Sequence, residues 1–323
     1  MNDVELTMIR TNPGVDPNLA VWQWEIPLYL FLGGLVAGLM VIGAVQQLRG
    51  DEKRWESRLS LWSSGLGAAF LSVGMLALLL DLAHKAYVPR FYLAFKPSSP
   101  MSWGAWILIL AYPALGLWFL RSLSDDQWKG LVARFGPIRL AGAFRNWAQD
   151  KGKFVLWSNV VVGVGLGTYT GILLQTLVAR PLWNTGLFGP LFLASGVSGA
   201  AALLMLLRPG QALLGDLLKW DLVALALEGL LIFLFLMEKA TGPAVDRLSV
   251  GLLLDGPFTG AFFGVVLVGG ILVPMVMEVA ELRHNTRVAG WAAPLLVLAG
   301  GLGLRAVLVG AGQMSNYSML LGG

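Results

Sequence analysis

The sequence contains no cysteine. This absence excludes disulfide bonds within the chain, zinc sites built on thiolates, and iron–sulfur clusters held by thiolates of this chain. Charged residues are also scarce, at 13% of the total against about 25% in a typical soluble domain. Hydrophobic residues make up 56%, and the mean hydropathy is +0.70. A soluble fold of this length cannot bury so much apolar surface, so the composition indicates a membrane protein.

The small excess of basic residues does not indicate nucleic-acid binding. Lysines and arginines lie between apolar runs and form no basic stripe, so they describe membrane topology, and no nucleic-acid partner is expected. The first twenty residues lack the basic start and apolar run of a cleavable signal peptide, and none is expected.

Eight continuous apolar runs are long enough to cross a bilayer, because about 20 helical residues span a hydrocarbon core of about 30 Å. Strands are not predicted, because apolar and polar residues do not alternate along the runs. The predicted fold is an all-α integral membrane protein with eight transmembrane helices, numbered here as spans 1 to 8. Their predicted ranges are 26–47, 60–82, 103–120, 154–179, 186–207, 220–237, 257–281 and 291–311.

Eight spans place both termini on one side of the membrane, and the basic residues assign that side. The connections after spans 1, 3, 5 and 7 hold fifteen lysines and arginines, while the N-terminal tail and the other connections hold seven. The richer side is expected to be cytoplasmic. The tails 1–25 and 312–323 are therefore predicted on the outer side, and the long connection 121–153 on the inner side.

The connection 121–153 interleaves basic residues with Trp128, Phe135, Phe144 and Trp147. This pattern favours an amphipathic helix lying in the inner membrane interface. A soluble loop with some helix is the alternative.

Ionisable and polar side chains within spans are candidate functional residues, because the bilayer penalises them. With the N-terminus outside, several of them fall at the outer ends of spans 1 to 4 and 8, where they predict a pocket in the outer leaflet. These residues are Glu25, Tyr29, Asp81, His84, Lys85, Ser99, Ser102, Trp103, Tyr169, Arg305 and Gln313. The segment FKPSSPMSW, residues 95–103 and here called the elbow, is expected to form the lip of this pocket.

Each candidate also has a purely structural interpretation. Asp81 with Lys85 could be an interfacial ion pair on one helical face, whereas Asp81 with His84 could move protons. Pro100 and Ser99 could simply be the first residue and the cap of span 3. Tyr169 could bond a neighbouring helix. An arginine inside span 8 needs a counter-charge, a cluster of carbonyls or a wet cavity.

A second set of ionisable residues lies in the second half of the chain. Asp221 and Glu228 are seven apart on one face of span 6, and Glu278 and Glu281 lie near the inner end of span 7. With Arg305, these residues could carry protons from the cytoplasm. They could equally be interfacial acids paired with basic residues, namely Lys219, Arg283 and Arg287.

The two histidines exclude a haem bound between two imidazoles. His84 is predicted at the outer end of span 2 and His284 beyond the inner end of span 7. Most of the membrane thickness separates them, so they cannot ligate one haem. No metal site is predicted.

Four motifs in order resemble the NrfD/PsrC family, the membrane anchors of polysulfide reductase. They are VWQWEIPLYLFLGGLVAG, DLAHKAYVPRFYLAFKPSSPMSWGAW, ARPLWN and LRAVLVGAGQ, and the resemblance covers about residues 20–315. It implies two four-helix bundles, 26–120 with 154–179 and then 186–311, in a bacterial or archaeal cytoplasmic membrane. It also implies that menaquinone or ubiquinone binds near the outer face, without haem. The implied partners are a ferredoxin-like iron–sulfur subunit and a molybdopterin catalytic subunit or multihaem cytochrome.

The resemblance also assigns individual residues. Tyr169 matches a tyrosine that hydrogen-bonds a quinone carbonyl, and Tyr29 stands where the polysulfide reductase anchor has a quinone-contacting histidine. Ile26 stands where that anchor has an asparagine. Because tyrosine, with a pKa of about 10, carries protons poorly near neutral pH, this role is expected to pass to Asp81 or His84. Glu25, Lys85, Ser102 and Trp103 complete the expected quinone site.

The expected function is therefore that of a quinone-reactive membrane subunit that exchanges electrons with an iron–sulfur partner on the outer side. An ion- or proton-translocating module built on Asp221, Glu228, Glu278 and Arg305 is the alternative from another class. A purely structural anchor is the third hypothesis.

Overall fold

The computed structural model describes residues 22–49, 57–82, 85–93, 95–136, 139–284 and 290–317, and throughout these ranges its regular structure is helical. His84, Arg287, most of the N-terminal tail and half of the C-terminal tail lie outside the described residues. Eight helices are long and apolar enough to cross a membrane, which confirms the predicted fold class. They are Glu25–Leu48, Leu59–Asp81, Pro100–Ser122, Gly152–Gln175, Phe188–Leu206, Gln211–Thr241, Ala261–Arg283 and Ala292–Met314.

The contacts between spans form two groups of four. Span 1 packs on spans 2 and 4, span 3 also packs on spans 2 and 4, and these four form the first bundle. Spans 5 to 8 make the corresponding contacts in the second bundle. The bundles meet where span 5 packs on spans 1 and 4 and where span 8 packs on span 1. At the crossing of spans 1 and 5, a Cβ atom on Gly38 would collide with the backbone of Gly196. Small residues thus bring the helices together as closely as packing in lipid requires.

Span 2 ends before Lys85, so Asp81 and Lys85 do not lie on one continuous helix. The helix ends at Asp81, and Lys85 begins a separate 3₁₀ turn, Lys85–Tyr87, followed by a short helix, Val88–Leu93. Within the described residues no ion pair joins Asp81 to Lys85. The interpretation of the two residues as a pair on one helical face is therefore wrong.

Span 6 is longer than predicted, at 31 residues instead of 220–237. The excess includes Lys219 at the inner end, 3.8 Å from Asp216, and Lys239 at the outer end. Lys239 is fully buried, and its Nζ donates to the carbonyls of Pro181 and Asn184, both at 2.8 Å, and to Asp246 at 3.3 Å. Because its charge has these partners, Lys239 can lie within span 6 and does not end the helix.

Span 8 also contacts the connection between spans 4 and 5, to which Lys239 binds. The indole of Trp183 donates to the carbonyl of Leu308 at 2.8 Å, and Trp183 stacks on Trp22 at 5.2 Å between ring centroids. Gln313 exchanges two hydrogen bonds with the backbone of Trp22, at 2.7 and 2.8 Å. These contacts tie the connection between spans 4 and 5 to span 8 and to the residue Trp22, which precedes span 1.

Span 7 begins as a π-helix, Ala261–Leu272, and continues as an α-helix, Val273–His284. Its Gly270 lies against Gly300 of span 8, where a Cβ on Gly270 would come within 2.5 Å of the Gly300 Cα. The wider π-helical turn changes the direction in which every later residue of span 7 points, including Glu278.

The connection 121–153 contains two short helices, Asp125–Phe135 and Arg139–Asp150, where a single one was predicted. Ser124 and Gln127 form a capping box at the start of the first helix. Gly136 follows it with a positive φ of 82°, a conformation that glycine adopts without strain and that stops the helix. The position of both helices at the membrane interface stays a prediction.

Candidate functional site

A cavity of about 270 Å³ lies among the first four spans, on the side where span 2 ends and span 3 begins. Its walls are mostly apolar and come from spans 1 to 4 and from the short segment 85–93. The described residues that line it carry no charge, and the polar groups are hydroxyls of tyrosines. The wall includes Tyr29, Leu82, Tyr87, Tyr92, Met101, Gly104, Ala105 and Tyr169.

Tyr29 and Tyr169 bring two hydroxyl groups to this cavity from different helices. Both side chains are buried, at 3% and 5% exposure, and the two hydroxyls interact electrostatically. Within the described residues neither hydroxyl has a hydrogen-bond partner, so the helix–helix bond considered for Tyr169 is not formed there. A buried phenol normally finds a partner, which leaves both groups available to a ligand with an acceptor oxygen.

Gly104 makes this arrangement of Tyr169 possible. A Cβ atom on Gly104 would collide with the Tyr169 ring and with its hydroxyl oxygen. The tyrosine therefore lies directly against the backbone of span 3. Sequence reasoning missed this residue, although it follows the Ser-Trp pair of the elbow, because a glycine offers no functional group to notice.

The start of span 3 follows its structural interpretation in most respects. Ser99 stands at the N-cap position and Pro100 is the first helical residue, but the Ser99 hydroxyl makes no capping bond. Ser102 accepts a hydrogen bond from the Lys96 amide at 3.0 Å, and the Trp103 indole donates to the Pro97 carbonyl at 2.6 Å.

Among the described cavity-lining residues, the elbow contributes Met101 rather than Ser102 or Trp103. The bond between Lys96 and Ser102 and the bond between Trp103 and Pro97 both join residues of the elbow to one another. These two side chains thus fix the wall, and their direct contact with a ligand stays a prediction.

Two carboxyl groups lie at the N-terminal end of span 1 and the C-terminal end of span 2. Glu25 is the first residue of span 1, one turn before Tyr29, and its Oε2 is buried without a hydrogen-bond partner in the described part of the chain. Asp81 interacts electrostatically with Glu25 and precedes Leu82, which lines the cavity. Lys85 is exposed. Two neighbouring carboxyls can hold one proton between them, which suits proton transfer.

Tyr87 and Tyr92 line the cavity from the segment between spans 2 and 3, and sequence reasoning missed both. The Tyr92 hydroxyl lies 3.8 Å from the sulfur of Met75. Burial, and secondarily the neighbouring Tyr112, raise the pKa of Tyr92 above its ordinary value, so it remains a proton donor at neutral pH. The segment HKAYVPRFY could have indicated these two residues, because several aromatic residues occur there next to the predicted pocket.

Arg305 belongs to the second bundle and is not among the described residues that line the cavity. It is fully buried, and its guanidinium donates to Ser195 Oγ at 2.6 Å, to the Gly301 carbonyl at 2.8 Å and to the Phe192 carbonyl at 3.1 Å. Glu228 supplies a nearby negative charge. Arg305 therefore has both the carbonyl cluster and the counter-charge that its position demands.

Three buried acids continue from Arg305 through the second bundle. Asp221 accepts a hydrogen bond from Ser198 at 2.5 Å, and its other carboxyl oxygen is buried without a partner in the described residues. Asp221 interacts electrostatically with both Glu228 and Glu278.

Glu278 is completely buried, yet both its oxygens lack a partner within the described residues. Pairing of Glu278 with a basic residue is therefore not seen. Glu278 and Glu281 line a second cavity, of about 220 Å³, together with Arg208 and Trp291, where spans 5 and 7 end and spans 6 and 8 begin. The acids thus begin at this cavity and end at Arg305.

These features define a polytopic α-helical membrane protein with an uncharged cavity in one bundle and buried ionisable groups in the other. The family model described as "Polysulphide reductase, NrfD" matches residues 13–316. The chain therefore belongs to the polysulphide reductase NrfD family, and the resemblance carried by the four motifs is confirmed.

Curated relatives agree with this assignment. The sequence is 28% identical over 313 residues to a polysulfide reductase chain of Wolinella succinogenes, a match that spans 92% of this protein and 95% of the relative. It is 26% identical over 305 residues to protein NrfD of Escherichia coli, spanning 91% of this protein and 96% of the relative. A tetrathionate reductase subunit of Salmonella typhimurium is 26% identical over 226 residues, spanning 69% of this protein and 60% of the relative.

Proposed function

We propose that the chain is the quinone-reactive membrane subunit of a respiratory reductase complex. The observation that carries the proposal is the cavity of about 270 Å³ with the two unbonded hydroxyls of Tyr29 and Tyr169. Its volume is just below the range of about 300–1,000 Å³ usual for small-molecule sites, so it suits a single substituted ring whose tail extends outside. Apolar walls favour the ring, and the two phenols match its two oxygens.

The proposed reaction is the oxidation of a quinol, or its reverse. Each quinol releases two electrons and two protons and leaves a quinone. Tyr29 and Tyr169 hold the oxygens, while Asp81 with Glu25, or His84, accepts the protons. Electrons pass to an iron–sulfur partner docked at the outer face, because none of the side chains in the cavity is a redox centre for stable electron storage. Menaquinone and ubiquinone both fit this description.

The names of the relatives support this assignment to a complex. The Wolinella relative is named as one chain of a polysulfide reductase, and the Salmonella relative as one subunit of a tetrathionate reductase. A molybdopterin subunit or multihaem cytochrome would then complete the complex. The excess of basic residues in the connections after odd-numbered spans supports a cytoplasmic membrane location with both termini outside.

The test is Tyr169→Phe in the purified complex, which removes one hydroxyl and keeps the ring. We expect quinol oxidation to fall roughly fivefold and the amount of co-purified quinone to drop, because a neutral hydrogen bond is worth about 1 kcal/mol. The matched control is Tyr112→Phe in span 3. The Tyr112 hydroxyl lies 3.2 Å from the Ser72 hydroxyl, and Tyr112 is not among the described residues that line the cavity. Equal activity and quinone content in Tyr169→Phe and the native complex would refute the proposal.

Proton translocation through the second bundle is a second candidate function, supported by the buried acids that begin at the second cavity. We expect Glu278→Gln to reduce proton uptake by proteoliposomes several-fold more than it reduces quinol oxidation. Asp216→Asn, in span 6 near the same cavity, is the control. Ion flux in proteoliposomes without any redox partner would instead support a transporter, and unchanged proton uptake in Glu278→Gln would exclude this conduit.

A further inference from the structure

The second short helix of the inner connection, Arg139–Asp150, carries an apolar stripe that no described part of the protein covers. Leu140 is 75% exposed, Phe144 54% and Trp147 41%. Their spacing of four and then three residues places them on one side of the helix. Large apolar side chains at this spacing and this exposure mark a surface that binds something apolar.

The remaining residues of this helix divide its surface into three sectors. At 100° per residue, the stripe is centred near 0°, and the buried Arg145 and Ala148 lie near 110°. The exposed Asn146, Gln149 and Asp150 lie between about 180° and 280°. The helix therefore presents one side to the protein, one to water and a third, distinct side to an apolar phase.

The apolar stripe continues onto span 4. The Trp147 ring meets the Phe154 ring edge-on, with 5.9 Å between centroids. Phe154, Trp157 and Val161 follow on one face of span 4 and are 62%, 58% and 67% exposed. Because span 4 is a membrane-spanning helix, its exposed apolar face meets lipid tails, and the stripe extends that face along the membrane surface.

Basic residues stand at both ends of the stripe. Arg139 begins the helix, and Lys151 and Lys153 follow its end. All three are exposed, and within the described residues none has an ion-pair partner. Cations placed beside an apolar stripe at this depth match the phosphate groups of lipids.

Arg145 fixes the orientation of the helix. Its guanidinium donates to Asp125 at 2.7 Å and to the Leu123 carbonyl at 3.1 Å, and it lies 5.6 Å from the centre of the Trp128 ring. The stripe is thus held in place by the protein and does not need to form on contact with lipid.

We propose that the helix Arg139–Asp150 is a binding surface for anionic phospholipids. Leu140, Phe144 and Trp147 insert among the acyl chains, and Arg139, Lys151 and Lys153 contact the headgroup phosphates. A protein partner is a weaker occupant, because the stripe is continuous with a surface that lipid tails already cover. This inference does not rest on quinone binding and can fail or hold independently of it.

The natural absence of cysteine allows a direct test with the full chain in bilayers. Phe144→Cys and the matched control Gln149→Cys place a spin label on the apolar and the water-facing sectors of the same helix. In vesicles of phosphatidylcholine and phosphatidylglycerol, we expect the label at 144 to be reached by oxygen and shielded from a water-soluble nickel chelate. The label at 149 should show the reverse. Equal access of the chelate to both labels would overturn the insertion of the stripe.

The second arm tests the headgroup. We expect the native chain to enrich spin-labelled phosphatidylglycerol over phosphatidylcholine, and the triple variant Arg139→Gln, Lys151→Gln and Lys153→Gln to lose most of that preference. The control is Arg90→Gln, Lys96→Gln and Arg247→Gln, which removes three exposed charges elsewhere and should keep it. An equal preference of the two triple variants for phosphatidylglycerol would overturn anionic recognition. Protection of the label at 144 from the nickel chelate only after a partner subunit is added would overturn the lipid as occupant.

Discussion

The two four-helix bundles consist of similar helices but differ in the side chains that they enclose. The first encloses a cavity whose described wall is uncharged and whose polar groups are phenols. The second buries Arg305, Glu228, Asp221 and Glu278. A lipid-soluble ring requires apolar walls and a few neutral donors, whereas charges inside a membrane protein require one another. The comparison teaches that the proposed ligand cavity and the buried charges lie in different bundles.

The largest expected effect concerns the second bundle. Arg305→Met removes three hydrogen bonds and leaves Glu228 buried without its counter-charge. Leaving a buried acceptor without its donor costs about 1–3 kcal/mol, and three acceptors are affected, so we expect a clear fall in the midpoint of thermal unfolding in detergent. The double variant with Glu228→Gln should recover part of the loss, and the exposed Arg247→Met serves as control. An unchanged midpoint would show that the charges of this bundle do not stabilise it.

The next effect concerns the first bundle. Gly104→Ala adds a Cβ that collides with Tyr169, so the tyrosine must move within the cavity. Because displacement of a positioned group by about 1 Å can cost about 100-fold, we expect quinol turnover to fall by that order. Gly116→Ala in the same span meets nothing within 4 Å and should keep full activity. Native turnover in Gly104→Ala would contradict the assignment of the cavity.

The smallest effect concerns Arg145, a buried arginine whose carboxylate partner is exposed to solvent. Arg145 holds the pKa of Asp125 below its ordinary value of 3.8, through a hydrogen bond and its charge. A depressed carboxyl pKa contributes stability above the ordinary value and loses it as the pH falls through the lowered value. Asp125→Asn should therefore unfold at a slightly lower temperature than the native chain at neutral pH.

Because the Asp125 side chain is 82% exposed, solvent screens this pair and the shift should be small. The difference between variant and native chain should vanish below the lowered pKa. A difference that persists there would mean that the variant disturbs more than this pair.

The eight spans were predictable because their apolar runs are continuous, and the errors occur where charges have partners. Lys239 was placed outside span 6, yet the carbonyls of Pro181 and Asn184 keep it inside the helix. The opposite error occurred at Lys85, where the helix had already ended at Asp81. A hydropathy scale depends on residue type alone and takes no account of the hydrogen-bond partners of a charged residue.

The candidate site was predictable in part. Tyr29 and Tyr169 were placed at the outer ends of spans 1 and 4, and the structure brings both to one cavity. The motifs supplied this expectation, because composition alone does not bring residues 140 positions apart together. Gly104 acts by lacking a side chain, and the π-helix of span 7 has the composition of an α-helix. Neither leaves a signal in residue type or spacing.

The ammonium group of Lys239 has a consequence beyond the end of its own helix. It binds two carbonyls of the connection between spans 4 and 5 and the carboxylate of Asp246, so the backbone on that side is already immobilised. A protein that docks there would lose little conformational entropy from this segment. Association would then resemble the meeting of two rigid bodies, with an on-rate governed by encounter rather than by rearrangement.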